Sequence, residues 1–124
     1  MYIIEIIKRK NQQRYKIENI DYADTFYKRL VGLIGKKKIN GLIFKQKHHN
    51  PLSGSIHTCF MKIPIDIIYI NNNMKIQEST TLAPWKLHIP QKGNIKYIIE
   101  LPEKSIEKNN IEIGDTIQIN KTKK

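Results

Sequence analysis

The stretch GSIHTCFMKIPIDIIYINNN, residues 54–73, decides how this chain is read. It sets a His, the sole Cys, a Met, a Pro and an Asp inside a run that is otherwise apolar and β-branched. Such runs suit the pleated, packed surface of a sheet, because their stiff side chains lose little freedom there. The spacing predicts two strands, 56–61 and 65–70, bent at Pro64, whose ring removes a ladder donor. In the first, alternation sends Ile56, Thr58 and Phe60 to one face and His57, Cys59 and Met61 to the other. In the second, Asp66 shares a face with Ile68 and Ile70. A carboxylate on an apolar face must find a partner or stay protonated, so Asp66 needs an explanation.

Working outward, YIIEIIK (2–8) and RYKIENI (14–20) read as an opening hairpin. DYADTFYKRLVGLIG (21–35) changes period: Phe26, Leu30, Leu33 and Ile34 recur at helical spacing, with an Asp to start the helix and Gly35 to end it. GLIFK (41–45) is a short strand, and QKHHNPLSG (46–54) reads as loop. MKIQESTTL (74–82) alternates as a half-exposed strand does, and APWKLHIPQKGN reads as a long loop carrying the sole Trp. IKYIIEL (95–101) is strand, PEKSIEKNN suits one turn or two of helix, and GDTIQI (114–119) is a last strand before a loose basic tail, 120–124. The expected fold is a compact single domain over 1–124, α+β but mostly β. Its strands form an antiparallel barrel or sandwich with one or two short helices.

The 124 residues suffice for one core, and no stretch approaches the roughly 20 apolar residues of a membrane span. In MYIIEIIKRK the positive charge follows the apolar run, the reverse of a secretory signal, so a cytoplasmic, unprocessed protein is expected. One Cys excludes an internal disulfide. The formal charge of +11 invites a nucleic-acid reading. However, the basic residues are 19 Lys against 3 Arg, beside 25 Ile and 11 Asn, a composition that an AT-rich genome over-supplies. With so few of the planar forks that read base edges, only weak phosphate binding through Lys8, Arg9, Lys10, Lys36, Lys37 and Lys38 is expected.

His57 and Cys59 share a strand face, and His48, His49 and His88 lie elsewhere, but the spacing fits no zinc motif, so neither metal nor cofactor is expected. Cys59 in an apolar strand reads as a small buried hydrophobe. Glu100 repeats the situation of Asp66 in YIIEL, and Asp115 follows Gly114 in a turn. Arg29, on the predicted helix, is the cation best suited to one of these carboxylates. The set is open to two readings: an Arg–carboxylate lock between helix and sheet, or a pocket where Asp66 and Glu100 act as acid and base. Trp85 reads either as a hydrophobic plug or as an aromatic platform.

The ordered motifs ADTFYKRLVGLIG, GLIF, SIHTCFMKIPIDIIYI, LAPWK and YIIELPEKSIEKNNIEIGDTIQI together resemble the domain of unknown function 192 family, from about residue 20 to about residue 120. The most specific parts are Phe60-Met61-x-x-Pro64-x-Asp66, and Glu100-Leu101-Pro102 through Gly114-Asp115. The resemblance implies a small β-rich domain and carries no activity with it. It also implies that Arg29, Gly32, Asp66, Glu100 and Asp115 stand on motif positions, and that Cys59 stands where the family packs a ring. After Glu100-Leu101-Pro102 the family usually reads Ala-Gly, whereas this chain has Glu103-Lys104.

Three functional readings follow. The leading one is a non-enzymatic binding or interaction module whose polar cleft, lined by Arg29, Asp66, Trp85, Glu100 and Asp115, takes a small ligand or a protein partner. The second is a hydrolase-like enzyme with Asp66 and Glu100 as its carboxylate pair. The third is non-specific nucleic-acid binding through the Lys-rich surface.

Overall fold

The computed structural model describes residues 1–23, 35, 38–46, 55–58 and 61–122. Strands β1 (Tyr2–Ile7) and β2 (Arg14–Ala23) form the expected opening hairpin, with Ile6 opposite Tyr15. Strand β2 outruns its predicted end. Asp21–Ala23, expected to begin a helix, are strand because they pair with β3 (Leu42–Lys45), Asp21 opposite Leu42 and Ala23 opposite Phe44. That pair is parallel, and parallel neighbours need a crossover far longer than a hairpin turn, which residues 24–41 supply. The rest of the predicted helix, 24–34, lies outside the described residues, as do Arg29, His48, His49, Cys59, Lys36 and Lys37.

The remaining elements are β4 (Ile56–His57), β5 (Ile65–Asn71), β6 (Ile76–Leu82), β7 (Leu87–His88), β8 (Ile95–Pro102), helix α1 (Ser105–Lys108) and β9 (Thr116–Lys121). Seven strands make one sheet in the order β6-β5-β8-β3-β2-β1-β9, while β4 and β7 pair with each other. The mostly β class stands as expected. The sheet, however, is mixed rather than antiparallel, and it does not close into a barrel. It curls until its two edges touch at one bridge, Lys75 opposite Thr116, where Ile117 N–H donates to the Met74 carbonyl at 2.8 Å. The β4–β7 ladder bears on two expectations: among the described residues of the strand predicted over 56–61, only Ile56–His57 pair, and the predicted loop 83–94 contains β7.

Alternation gives the sheet two apolar faces. Ile4, Ile6, Ile20, Ile43, Ile68, Ile70, Ile99, Leu101 and Ile117 fill the inside of the curl, and Ile111 closes it. Ala23, Leu42, Ile65, Ile67, Tyr69, Ile95 and Ile98 pack on the other face. Strand β5 lies between β6 and β8 and is buried on both sides, so it reads as a continuous apolar run rather than an alternating one. Gly41 leads into β3 at φ 153°, and a Cβ there would meet Ile20 Cδ1 at 2.5 Å and Leu101 Cδ2 at 3.0 Å, so the entry to the strand requires glycine.

Candidate binding cleft and the buried carboxylates

Asp66 faces the inside of the curl, directly opposite Leu101 of β8 and Thr81 of β6, and is 1 % exposed. Both of its oxygens are used: Oδ1 accepts the Thr81 hydroxyl at 2.7 Å, and Oδ2 accepts the Ile106 N–H at 2.9 Å. Helix α1 needs this. Its N-cap residue Lys104 offers no side-chain hydrogen bond and sits at φ 73°, in the left-handed region where glycine is easiest. A strand carboxylate thus caps the helix in place of the helix's own first residue. Lys104 thus holds a conformation that glycine would adopt freely.

Asp115 is also 1 % exposed, and its partner is Lys8. The Lys8 Nζ lies 2.5 Å from Asp115 Oδ2 and 2.8 Å from Glu112 Oε1, and it also donates to the Asn110 carbonyl. Asp115 Oδ1 accepts the Arg9 N–H at 3.0 Å, and Oδ2 accepts the Glu112 N–H at 2.8 Å. Burial pushes the Asp115 carboxyl up, but the bonds from Lys8, Arg9 and Glu112 outweigh it and hold the pKa below its ordinary value. Burial likewise pulls Lys8 down, and its two carboxylate partners more than restore it, so its pKa is raised. The arrangement ties the end of β1 to the turn before β9. It also removes Lys8 from the basic surface on which it was expected, since its side chain is 3 % exposed.

Glu100 is 1 % exposed and stands opposite Ile67 of β5 and Leu42 of β3. Since Asp66 stands opposite Leu101, the next residue along β8, Asp66 and Glu100 project from opposite faces of the sheet. The register therefore separates the proposed acid/base pair, and the sheet itself lies between the two carboxylates. Trp85 is 60 % exposed, which rules out its reading as a plug.

One polar chain escaped the sequence reading. The buried Tyr69 hydroxyl lies 2.9 Å from His88 Nδ1, and His88 Nε2 lies 3.2 Å from Glu78 Oε2. Glu78 Oε1 also accepts the Gln91 N–H at 2.9 Å. The three residues lie on β5, β7 and β6, and the chain fastens the short β7 to the main sheet. The only local signal was a His inside an apolar run, which burial with hydrogen-bonded partners explains.

The described residues also frame a surface cleft of about 460 Å³. Glu18 and Asn19 of β2 form one wall, and Lys38, Ile39 and Asn40 before β3 form another. Ile63, Pro64, Pro102, Glu103 and Lys108 complete it. Trp85, Glu100 and Asp115 are not among these lining residues. Asp66 is not either, but it caps the helix that carries Lys108. Among the described residues no three His, Cys, Asp or Glu side chains gather as a metal site, and no helix is long and apolar enough to cross a membrane.

The DUF192 family profile, "Uncharacterized ACR", matches residues 6–119. The chain belongs to the DUF192 family. Among its relatives, the UPF0127 protein of Pyrococcus furiosus is 35 % identical over 102 residues, 82 % of this chain and 87 % of its own length. That of Pyrococcus horikoshii is 40 % identical over 96 residues, 77 % of this chain and 83 % of its own. Solved structures with a similar fold include the following two. A candidate transcription regulator from Sinorhizobium meliloti superposes with a TM-score of 0.81 at 15 % identity, covering 94 % of this chain and 92 % of that one. A protein of unknown function from Novosphingobium aromaticivorans gives 0.79 at 16 %, covering 94 % and 83 %.

Proposed function

We propose that this DUF192 chain is a binding module, and that the cleft between β2, the approach to β3 and helix α1 receives a small ligand carrying both signs of charge. The observation behind this is the lining itself: Lys38 and Lys108 line a partly apolar cleft of about 460 Å³ together with Glu18 and Glu103. That volume falls within the range of sites for small molecules, roughly 300–1,000 Å³. A ligand with a carboxylate or phosphate at one end and an amine or hydroxyls at the other would meet a complementary partner at each end, with its carbon frame over Ile63, Pro64 and Pro102. The buried Asp66 supports the site from behind by capping the helix that carries Lys108.

A thermal-shift screen of amino acids, small phosphates and sugar acids tests this, run on wild type beside the double variant Lys38→Glu, Lys108→Glu. At a ligand concentration one hundred times Kd, mass action adds about 2.7 kcal/mol of stability. For a domain of this size that raises Tm by roughly 10 °C. The double variant should show no shift with the same compound. A compound that stabilises both proteins equally, or a screen with no stabilising compound, overturns the assignment.

A further inference from the structure

The segment 85–89, Trp-Lys-Leu-His-Ile, runs against the usual polarity of a half-buried strand. Polar His88 points inward to the buried Tyr69 hydroxyl, so its neighbours Leu87 and Ile89 must point outward. They are 62 % and 45 % exposed, and Trp85, two residues before Leu87, is 60 % exposed. An ordinary edge strand would bury the apolar set and leave the His in water. Here Leu87 and Ile89 form an outward apolar pair, and Trp85, in the turn just before the strand, is a third exposed large apolar side chain beside it.

This apolar segment is held rather than left loose. The fully buried Thr58 clamps the turn in front of it: Trp85 N–H donates to the Thr58 carbonyl at 3.0 Å, and Lys86 N–H donates to Thr58 Oγ1 at 2.9 Å. Thr58 N–H in turn donates to the Lys86 carbonyl at 2.9 Å, and its hydroxyl donates to the Ala83 carbonyl at 2.6 Å. Within this clamp Trp85 is kept at φ 62°, a conformation that is unfavourable for a bulky residue. Backbone strain persists only where the surroundings impose it.

The chemistry around the segment selects its occupant. Exposed lysines lie close to it: Lys92 stands three residues after Ile89, and Lys62 adjoins Met61, whose N–H donates to the Thr58 carbonyl. Glu78, which approaches through His88, is engaged by His88 and the Gln91 N–H. A rigid hook of Trp, Leu and Ile beside these lysines, on a chain of net charge +11, complements a surface that is apolar within and negative at its face. We propose that this segment docks on an anionic lipid bilayer, with Trp85, Leu87 and Ile89 entering the headgroup–acyl boundary and Lys62 and Lys92 meeting lipid phosphates. The segment shares no residue with the cleft, so the two assignments stand or fall separately.

Trp85 is the only Trp, so its fluorescence reports the contact directly. The full chain is mixed at low salt with vesicles of equal parts phosphatidylglycerol and phosphatidylcholine, or of phosphatidylcholine alone, and sedimented. The expected result is co-sedimentation with the anionic vesicles, a blue shift of Trp85 emission, and weakening by salt. Leu87→Asp and Ile89→Asp should each lower partitioning by about tenfold or more. Their melting temperatures should match wild type, because both side chains are exposed. Failure to sediment with anionic vesicles overturns the proposal. So does sedimentation with no emission shift and no loss in Leu87→Asp, which is charge adsorption alone. A blue shift that grows with protein concentration in the absence of lipid also overturns it, and makes the segment a contact between copies of the chain.

Discussion

Lys8→Met tests the best-defined polar contact in the fold. Methionine keeps the length and apolar stem of the lysine, so packing along β1 survives while the charge disappears. What remains is the Asp115 carboxylate at 2 % side-chain exposure, still receiving the Arg9 and Glu112 N–H groups but with its closest countercharge gone. Breaking a buried pair by removing one partner costs about 3–5 kcal/mol. The two backbone donors that stay with Asp115 place the expectation near the lower end, about 3 kcal/mol. On the per-residue scale a domain this size has roughly 6–19 kcal/mol in total, so the loss is large, and Tm should fall by roughly 10 °C. Urea unfolding followed by far-UV circular dichroism at neutral pH measures it, with an unchanged m-value showing that the unfolded state is the same. In the double variant Lys8→Met, Asp115→Asn no buried charge is left stranded, so its loss should be smaller than the sum of the two single losses. A Lys8→Met protein within about 1 kcal/mol of wild type would refute the reasoning. Desolvation would then have cancelled the attraction, and the contact would not hold β1 to the turn.

The same contact sets part of the pH dependence. The folded pKa of Asp115 is depressed, so its contribution is full above the ordinary carboxylate value of 3.8 and is lost as pH falls through the lower folded value. That of Lys8 is raised, so its contribution is full below 10.5 and disappears only as pH rises through the higher folded value. Stability should therefore be flat across neutral pH in this respect, and the acid limb should be shallower in the Lys8→Met, Asp115→Asn protein. Asp66 gives a graded series. In Asp66→Asn the amide oxygen still accepts the Ile106 N–H and the amide nitrogen donates to the Thr81 hydroxyl, so about 1–2 kcal/mol is lost with the charge. Asp66→Leu strands both groups and should cost about 2–5 kcal/mol; a Leu variant as stable as wild type would remove Asp66 from its role as helix cap. Lys104→Gly relieves a left-handed φ and should stabilise the protein by up to about 1 kcal/mol in the same urea assay, whereas a loss would mean that the lysine side chain makes a contact worth more than the strain.

Local periodicity carried most of the strand map. Tyr2–Ile7, Ile65–Asn71 and Ile95–Pro102 fall within a residue or two of the predicted runs, because a strand buried on one or both faces writes that burial directly into its composition. Asp66 and Glu100 were legible as problems for the same reason, each being a carboxylate in an apolar run, whereas Asp115 read as a turn residue; all three are buried. Their solutions were not legible. The Asp115 partner lies 107 residues away, just past the end of β1, and the Asp66 partner is a backbone N–H of a helix 40 residues downstream. A backbone donor has no signature in the sequence, and a lysine that will be buried is written like any other lysine.

The sequence by itself determined that this is a mostly β domain in which β5 is a buried core strand, and that certain carboxylates had to be partnered, since both follow from the cost of leaving apolar or charged groups in the wrong solvent. Only the tertiary structure decided the strand order, the parallel β2–β3 pair and the faces on which side chains meet. A shift of one residue along β8 places Glu100, rather than Leu101, on the far side of the sheet from Asp66. It likewise turned His88 inward and left Trp85, Leu87 and Ile89 facing out. Periodicity within a segment records how deeply that segment is buried, but which segment lies opposite, and in what register, is set by pairing between strands distant in the chain.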